Sequence, residues 1–225
     1  VTIFYGGCAA VFVTLSNILL LQCMANLPIS LASTIYRLNT VPLVILAFLF
    51  LGEEITGERS LGIGFGLLTV FLLNQSKQET NDTPYASIKY LGLIILASVL
   101  RALYGFFTKA GMNKGADPDT MVLIGALAWC VGGLLLALFQ ERRIQLSWDK
   151  LKFISIGGCL VYAVVWFLTT ALMLGDASHI LPLTNMGFVA AFLFSILLRL
   201  EILKPKKIIA IVCAIFAIII LTASG

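Results

Sequence analysis

The chain alternates between long apolar runs and short polar connections along almost its whole length. Eight apolar segments stand out, each close in length to the roughly 20 residues that a helix needs to cross the hydrocarbon core of a bilayer. The runs are continuous and do not alternate as barrel strands do, so helices are the predicted spanning elements. The predicted spans are residues 3–22, 27–51, 60–75, 88–110, 119–140, 152–174, 178–199 and 206–223.

The polar connections between these segments are short. The two longest cover residues 74–87 and 140–150, and both are too small to fold as domains. The pattern therefore predicts an all-α, polytopic membrane protein with eight visible transmembrane helices and no attached soluble module.

Composition agrees with this prediction and excludes a soluble domain. Hydrophobic residues make up 60% of the chain and charged residues 12%, whereas about a quarter of the residues in a soluble domain are charged. The mean hydropathy is +1.04. The net charge of +4 comes mostly from residues between the apolar runs, which is typical of loop charge that sets membrane topology rather than of a nucleic-acid surface.

The sequence contains no recognisable catalytic or metal-binding pattern. The five cysteines are scattered, mostly within apolar runs, where a thiol behaves as a small hydrophobic group. The single histidine, His179, has no positioned nucleophile beside it, and there is no glycine-rich phosphate loop or metal-spaced set of His and Cys. We therefore expect no enzyme activity, no metal and no cofactor.

A weak internal repeat divides the chain into two parts. Residues 49–73 align with residues 197–221 at a shift of 148, and in both an apolar helix ends in an acid, Glu53 or Glu201, before a charged turn and a final apolar helix. Hydropathy carries most of this match. We interpret residues 1–75 as a first repeat that shows three helices, residues 76–87 as the loop between the repeats, and residues 88–225 as a second repeat of five helices. Two further helices are then expected upstream of Val1.

The order of features in residues 24–73 resembles the repeat unit of the drug/metabolite transporter superfamily, in its EamA-like branch. A short polar turn is followed by a helix with an internal proline, by the letters LGEE at residues 51–54 and by a glycine-rich closing helix. Residues 88–223 look like the other copy. The resemblance implies a ten-helix fold of two inverted five-helix repeats that works by alternating access, with the first two helices lacking in this chain.

Loop charge and the resemblance predict opposite orientations in the membrane. The loops after the first, third, fifth and seventh segments contain ten Lys and Arg residues, against three on the other side, Arg59, Lys109 and Lys114. The positive-inside rule places the richer side in the cytoplasm and the C-terminus outside. The resemblance implies a cytoplasmic C-terminus, so the two orientations stand as alternatives.

Two arginines inside predicted spans are the main candidates for a binding site. A guanidinium in the middle of a membrane helix costs about 3 kcal/mol even on a lenient insertion scale, so Arg37 and Arg101 are expected to face a polar cavity or a partner. A planar guanidinium binds a carboxylate or phosphate through two parallel hydrogen bonds. Two polar stripes with one arginine each therefore favour a central cavity for an anionic ligand. The alternative is that each arginine binds helix-end carbonyls or extends towards the membrane interface.

Other candidates lie on the faces of these arginines or on the corresponding helices of the second repeat. The predicted substrate-binding residues are Arg37, Arg101, Thr40, Tyr104, Asn185, Tyr162 and Trp166. Asn185 lies at the position that corresponds to Arg37 and is expected to hydrogen-bond either the substrate or a neighbouring helix. Tyr162 and Trp166 recur at helical spacing, which favours either a cavity wall or ordinary packing.

Pro42 lies in the same predicted helix as Arg37. It removes a backbone hydrogen bond and is expected to expose the carbonyl of Leu38 one turn earlier. An opening of this kind would supply an acceptor to a ligand, as broken helices do in transporters. The alternative is an ordinary kink.

Helix ends and small residues give three further expectations. Glu53 and Glu54 are expected to cap a helix or form a salt bridge at the membrane edge, with a proton relay as the alternative. His179 is expected to be solvated at a helix start, with proton sensing as the alternative. Gly62 and Gly66 permit close helix contact, either between the repeats or at a homodimer seam.

These features favour a secondary transporter or exporter of a small anionic or zwitterionic organic metabolite. The alternative is a channel or a non-transporting assembly subunit, although a structural subunit has no evident need for two arginines at membrane depth. The expected partners are a small-molecule substrate and membrane lipid, and no nucleic acid. The expected location is the inner or plasma membrane, with an organellar membrane as the alternative.

Overall fold

The computed structural model describes residues 1–27, 32, 35–54, 56–75, 88–140, 147–187 and 205–223. Within these ranges the regular structure is helical and contains no strand, which confirms the all-α prediction for them. The predicted loop at 76–87, residues 188–199 of the seventh span and residues 28–31 of the second lie outside the described residues. The helices are α1 (Thr2–Met24), α2 (Thr40–Leu46), α3 (Gly57–Gln75), α4 (Ile88–Asn113), α5 (Pro118–Gln140), α6 (Trp148–Leu174), α7 (Ala177–Asn185) and α8 (Pro205–Ala223).

Four of the described helices are long and apolar enough to cross a membrane. They cover Thr2–Met24, Ile88–Asn113, Pro118–Phe139 and Leu151–Leu174, and a shorter apolar helix covers Ile35–Leu51. The apolar runs form helices because every backbone polar group in hydrocarbon must find its partner within the segment. The lengths and composition support a chain that crosses the membrane several times.

The predicted span at 27–51 is interrupted in its described part. Helical residues 35–37 are followed by a turn at Leu38 and Asn39, and α2 begins at Thr40. Pro42 is therefore the third residue of α2, where its missing N–H costs little. The amide of Val41 donates to the carbonyl of Leu38 at 3.0 Å. The break lies beside Arg37, as expected, but the Leu38 carbonyl already has a backbone partner.

The end of α2 reverses the chain within a few residues. Ala47–Leu51 form a π-helical turn, and Gly52 follows with a φ of 69°. Glycine adopts this left-handed conformation without the strain that a Cβ would introduce. The reversal brings the side chain of Glu53 to the first residues of α7 and lets α3 begin at Gly57.

The most extensive contacts join helices that the sequence assigns to different repeats. α1 packs on α4 and α5, and α3 packs on α8. A Cβ added to Gly132 of α5 would clash with Thr14 of α1, so the absence of a side chain permits this close crossing. Phe65 of α3 and Phe216 of α8 have ring centroids 6.2 Å apart, and Gly62 is buried on α3. A Cβ on Gly66 would lie 3.7 Å from the sulfur of Met186, so this glycine of α3 lies next to a segment that the sequence assigns to the second repeat.

A second close crossing joins α2, α4 and α7. A Cβ on Gly105 of α4 would lie 2.9 Å from Cδ1 of Leu181 and 3.2 Å from Cδ1 of Leu43. These leucines and Tyr104 belong to one buried apolar cluster. The glycine thus allows three helices to meet next to the polar residues described below.

Within the described part of the chain, α6 packs against other helices near its C-terminal end. Leu168 and Leu172 are buried, whereas residues 151–156 are all exposed, on every side of the helix. Buried residues make up 6% of the apolar stretches of both α5 and α6, compared with 28% for α1, but α5 packs extensively on α1. The first half of α6 therefore stands away from the other described helices.

Candidate functional site

Two interrupted helices meet at Arg37. Arg37 ends the helical residues 35–37, and Asn185 is the last residue of α7. The Nη1 group of Arg37 donates to the carbonyl of Asn185 at 2.8 Å. A carbonyl at a helix end has no partner within its helix, and a cation there also complements the helix dipole. This is the helix-end contact that the sequence offered as the alternative to ligand binding.

The contact joins residues that the predicted repeat makes equivalent. Arg37 and Asn185 are 148 positions apart, which is the shift at which the two repeats align. Residues related by a two-fold axis can touch each other at that axis, so this contact is where the axis of an inverted repeat would pass.

The side chain of Asn185 binds the neighbouring helix. Its Nδ2 group donates to Oδ1 of Asn39 at 2.8 Å and to Oγ1 of Thr40 at 2.9 Å. Both acceptors are buried, and Thr40 Oγ1 lies 3.5 Å from the carbonyl of Arg37. Of the two expectations for Asn185, the structure shows the helix contact. Asn39 was not selected from the sequence, because nothing in its local pattern indicates that the second repeat reaches it.

Arg101 and Tyr104 form a second polar group on α4. The Cζ atom of Arg101 lies 4.9 Å from the centroid of the Tyr104 ring, which is within the range of a cation–π contact. Arg101 is half-buried and Tyr104 is buried. The hydroxyl of Thr108 donates to the carbonyl of Tyr104 at 2.8 Å, so the hydroxyl of Thr108 has its acceptor within α4.

Three residues that sequence reasoning missed connect α1 and α4 to the region of Arg37. The hydroxyl of Tyr36 lies 3.2 Å from Oδ1 of Asn17 and 3.2 Å from Oγ of Ser16. Ser16 in turn donates to the carbonyl of Ala97 on α4 at 2.7 Å. A signal was available, since residues 14–17 read TLSN inside an otherwise apolar span.

Tyr162 and Trp166 lie near the middle of α6 and are exposed. Their side chains are 59% and 41% exposed, and the ring of Trp166 contacts Phe167 of its own helix at a centroid distance of 5.2 Å. The structure does not place either residue in the hydrogen-bonded group around Asn185.

Lys109 corrects the assignment of charges along the chain. Its charge was counted with the loop charges although the residue lies within the predicted span 88–110, and Lys109 is buried within α4, which continues to Asn113. Its Nζ donates to the carbonyls of Leu172 at 2.8 Å and Gly175 at 2.6 Å. The apolar run stops before the helix does, so the boundary at residue 110 was too early. Lys109 is therefore a buried basic residue, in addition to the half-buried Arg37 and Arg101.

Glu53 and His179 lie at the opposite end of α7 from Asn185. Glu53 caps this helix, as expected, because its carboxylate accepts the amides of Ala177 and Ser178. His179 is half-buried, and its Nε2 is buried without a hydrogen-bond partner among the described residues, so its ring is solvated at most in part.

Hydrogen-bond donors dominate the region where the broken helices meet. Around Asn185 they are the guanidinium of Arg37, the amide of Asn185 and the hydroxyl of Tyr36, while Arg101 and Tyr104 lie on α4. Such a set suits a carboxylate or phosphate, which accepts several hydrogen bonds from a planar guanidinium. Amide and hydroxyl groups would add the directional bonds that fix a ligand's orientation.

Comparison with known proteins identifies the family but not a substrate. A model of the EamA-like transporter family matches residues 88–223, more than half of the chain. A protein of known crystal structure is similar with a TM-score of 0.79 and 14% sequence identity, over 99% of this chain and 78% of that chain. This likeness shows the fold alone. No match occurs among the curated proteins.

The family match agrees with the helices of membrane-spanning length and with the apolar composition. Members of this family are multi-pass integral membrane transporters rather than enzymes, within the drug/metabolite transporter superfamily. The chain therefore belongs to the EamA-like transporter family.

Proposed function

We propose that the protein is a secondary transporter of a small anionic or zwitterionic organic metabolite, working by alternating access. The observation that carries the proposal is the meeting of two interrupted helices at Arg37 and Asn185. In transporters, interrupted helices supply termini and backbone groups to a central site. A charged side chain at this depth is costly and normally serves a pathway or a partner.

The chemistry of the neighbouring side chains supports an anionic group on the substrate. Arg37 donates to Asn185, while Arg101 contacts the face of the Tyr104 ring. A guanidinium presents five N–H donors in a planar fork that matches a carboxylate. Thr40 would orient the ligand through its hydroxyl, while Asn185, whose two N–H groups bind Asn39 and Thr40, would hold the helices that frame the site.

We further propose that the complete fold has ten helices in two inverted repeats. α1 is packed by α4 and α5, whereas its repeat counterpart α6 is exposed on all sides over residues 151–156. A helix that faces lipid on one side still packs on the other, so this exposure supports the proposal of further helices beside α6. Two helices equivalent to α4 and α5 would cover α6, including the exposed Tyr162 and Trp166.

The bare face of α6 also favours a second candidate function, that of an assembly subunit whose partner covers this face. A subunit of this kind would bind no metabolite. We place the transporter in the inner or plasma membrane, surrounded by lipid and without a nucleic-acid partner.

Transport by the purified protein in proteoliposomes tests the proposal. A panel of labelled carboxylates, phosphate esters, amino acids and neutral sugars would be offered in counterflow, with protein-free liposomes as the background. We expect uptake of at least one anionic or zwitterionic compound, and loss of that uptake in Arg101→Ala. Uptake of neutral compounds alone would contradict the anionic site. No uptake, together with a protein that co-purifies in fixed ratio, would favour the assembly subunit.

A further inference from the structure

The turn between α6 and α7 is bound by a buried carboxylate from the other half of the chain. Glu53 is 7% exposed. Its Oε1 accepts the amide of Ala177 at 2.9 Å, and its Oε2 accepts the amide of Ser178 at 2.8 Å. Both amides belong to the first turn of α7, where they have no partner within the helix and where the helix dipole favours an anion. Both oxygens of the carboxylate are therefore used across the boundary between the predicted repeats.

Two basic residues hold the same turn, one from each predicted repeat. Nη1 of Arg59, at the start of α3, lies 2.9 Å from Oδ2 of Asp176. Lys109 of α4 donates to the carbonyls of Leu172 and Gly175. Glu53 and Arg59 thus bind the turn from the first repeat, while Lys109 binds it from within the second.

Two buried polar atoms beside this turn lack a hydrogen-bond partner among the described residues. They are Oγ of Ser178 and Nε2 of His179, and Ser178 is 1% exposed. An unsatisfied buried group costs free energy that contact with water would recover. The packing of this turn therefore includes the free-energy cost of two unsatisfied polar atoms. The hydrogen bonds of the Glu53 carboxylate to Ala177 and Ser178 offset that cost.

We propose that Glu53 and Arg59 form a latch that closes this end of the transport path and opens during the transport cycle. The inference rests on the proposed function, since alternating access requires contacts between the two repeats at each end to form and break. Opening separates the Glu53 carboxylate from α7 and Arg59 from Asp176, and water then reaches Ser178 and His179. Lys109 stays bound to α6 and keeps the turn intact. In the closed latch the carboxylate is an acceptor for two amides.

Hydrogen–deuterium exchange on the full chain in detergent tests the latch without a substrate. Glu53→Gln keeps the shape of the side chain but replaces one acceptor oxygen with a donor, so it cannot bind both amides. We expect exchange to rise about tenfold or more in the peptide that contains Ala177 and Ser178, because bonds to a charged group are among the stronger ones. The rise should extend to the first turn of α3, where the amide of Ser60 donates to the carbonyl of Thr56.

Glu54→Gln is the matched control, because Glu54 is the adjacent acid and is exposed. It should exchange like the wild type in both peptides. A rise confined to the first turn of α7 in Glu53→Gln would show a local cap and overturn the latch, as would no rise at all. If Glu53→Gln does not fold, Arg59→Gln tests the same latch, and unchanged exchange at both sites in that variant overturns it.

The same variants distinguish failure of the latch from failure of the proposed function. A joint rise of exchange in a protein that transports no compound of the panel supports the latch as a conformational device and contradicts the transporter. Normal transport with unchanged exchange in Glu53→Gln contradicts the latch and leaves the transporter supported.

Discussion

Arg37 and Arg101 are the same residue type in similar apolar surroundings, yet they are bound in different ways. Arg37 reaches across to the end of α7 and donates to a backbone carbonyl. Arg101 lies against Tyr104, three residues further along its own helix. Both side chains are half-buried. The first arginine therefore connects two parts of the fold, whereas the second makes a contact that α4 forms by itself.

From the sequence, both arginines were predicted to bind the ligand. The structure adds a second role, that of holding two helices together, for Arg37 alone. Removing an arginine that bridges two helices leaves the partly buried carbonyl of Asn185 without this donor, so the fold loses stability along with any ligand contact. Removing an arginine that rests on its own helix leaves the packing almost unchanged. Stability and binding should therefore change together at Arg37 and separately at Arg101.

Arg37→Ala should have the largest effect on stability. We expect a loss of about 1–3 kcal/mol, the cost of leaving a buried hydrogen-bonding group unsatisfied, together with loss of transport. Thermal unfolding in detergent measures the first and proteoliposome uptake the second. Arg37→Lys is the control, since an ammonium retains one donor for the Asn185 carbonyl but cannot bind a carboxylate through a planar pair of donors. An unfolding midpoint in Arg37→Ala equal to that of the wild type would show that the contact of Arg37 with Asn185 does not stabilise the fold.

Asn185→Ala should rank second, because its amide satisfies Asn39 and Thr40 at the same crossing. We expect a loss of about 1–2 kcal/mol from two acceptors that lose their donor. Thr184→Ala serves as the control, since Thr184 is exposed and its hydroxyl bonds within its own helix. Equal unfolding midpoints for the two variants would show that the crossing is not stabilised by this amide.

Arg101→Ala should lower stability by no more than about 0.5–1 kcal/mol, the usual size of a cation–π contact near a surface, while abolishing binding of the anionic ligand. Uptake and thermal unfolding are to be measured on the same preparation. Arg101→Lys should restore part of the uptake if charge alone attracts the substrate. A large loss of stability with uptake preserved would assign Arg101 to the fold instead of the site.

Trp166→Ala should have the smallest effect in the 225-residue chain. The residue is exposed, and substitutions at exposed positions usually change stability by less than about 0.5 kcal/mol. Thermal unfolding again provides the readout, with Leu168→Ala, a buried residue of the same helix, as the contrasting variant. A loss in Trp166→Ala as large as that in Leu168→Ala would show that a partner already covers the bare part of α6.

Much of the helical framework follows from the sequence, because charged and polar residues end the apolar runs. The prediction at 206–223 lies within a residue of α8, and that at 60–75 starts three residues inside α3. The boundary at 110 was too early because helix formation depends on backbone geometry and continues through Lys109 to Asn113. The ten-helix repeat stays a prediction.

The candidate site was less accessible to sequence reasoning, because its bonds join distant segments. Arg37 stood out through the cost of its charge in an apolar run. The carbonyl it binds belongs to a residue 148 positions away, and the carbonyl has no side-chain signature. Asn39 and Tyr36 were missed because their partners also lie far away in the sequence. Tyr162 and Trp166 were selected for their helical spacing, but neither is buried against the described helices.

The central claim is that the meeting point of the broken helices binds an anion through its arginines. Thermal unfolding of the purified protein against matched pairs of metabolites, each an acid and its neutral amide or ester, tests it most directly. A ligand at a hundred times its Kd stabilises a protein by about 2.7 kcal/mol. We predict that at least one acid raises the unfolding midpoint of the wild type, that its neutral counterpart does not, and that Arg101→Ala abolishes the rise. Stabilisation by neutral members alone, or an acid-dependent rise that persists in both Arg37→Ala and Arg101→Ala, would contradict the account.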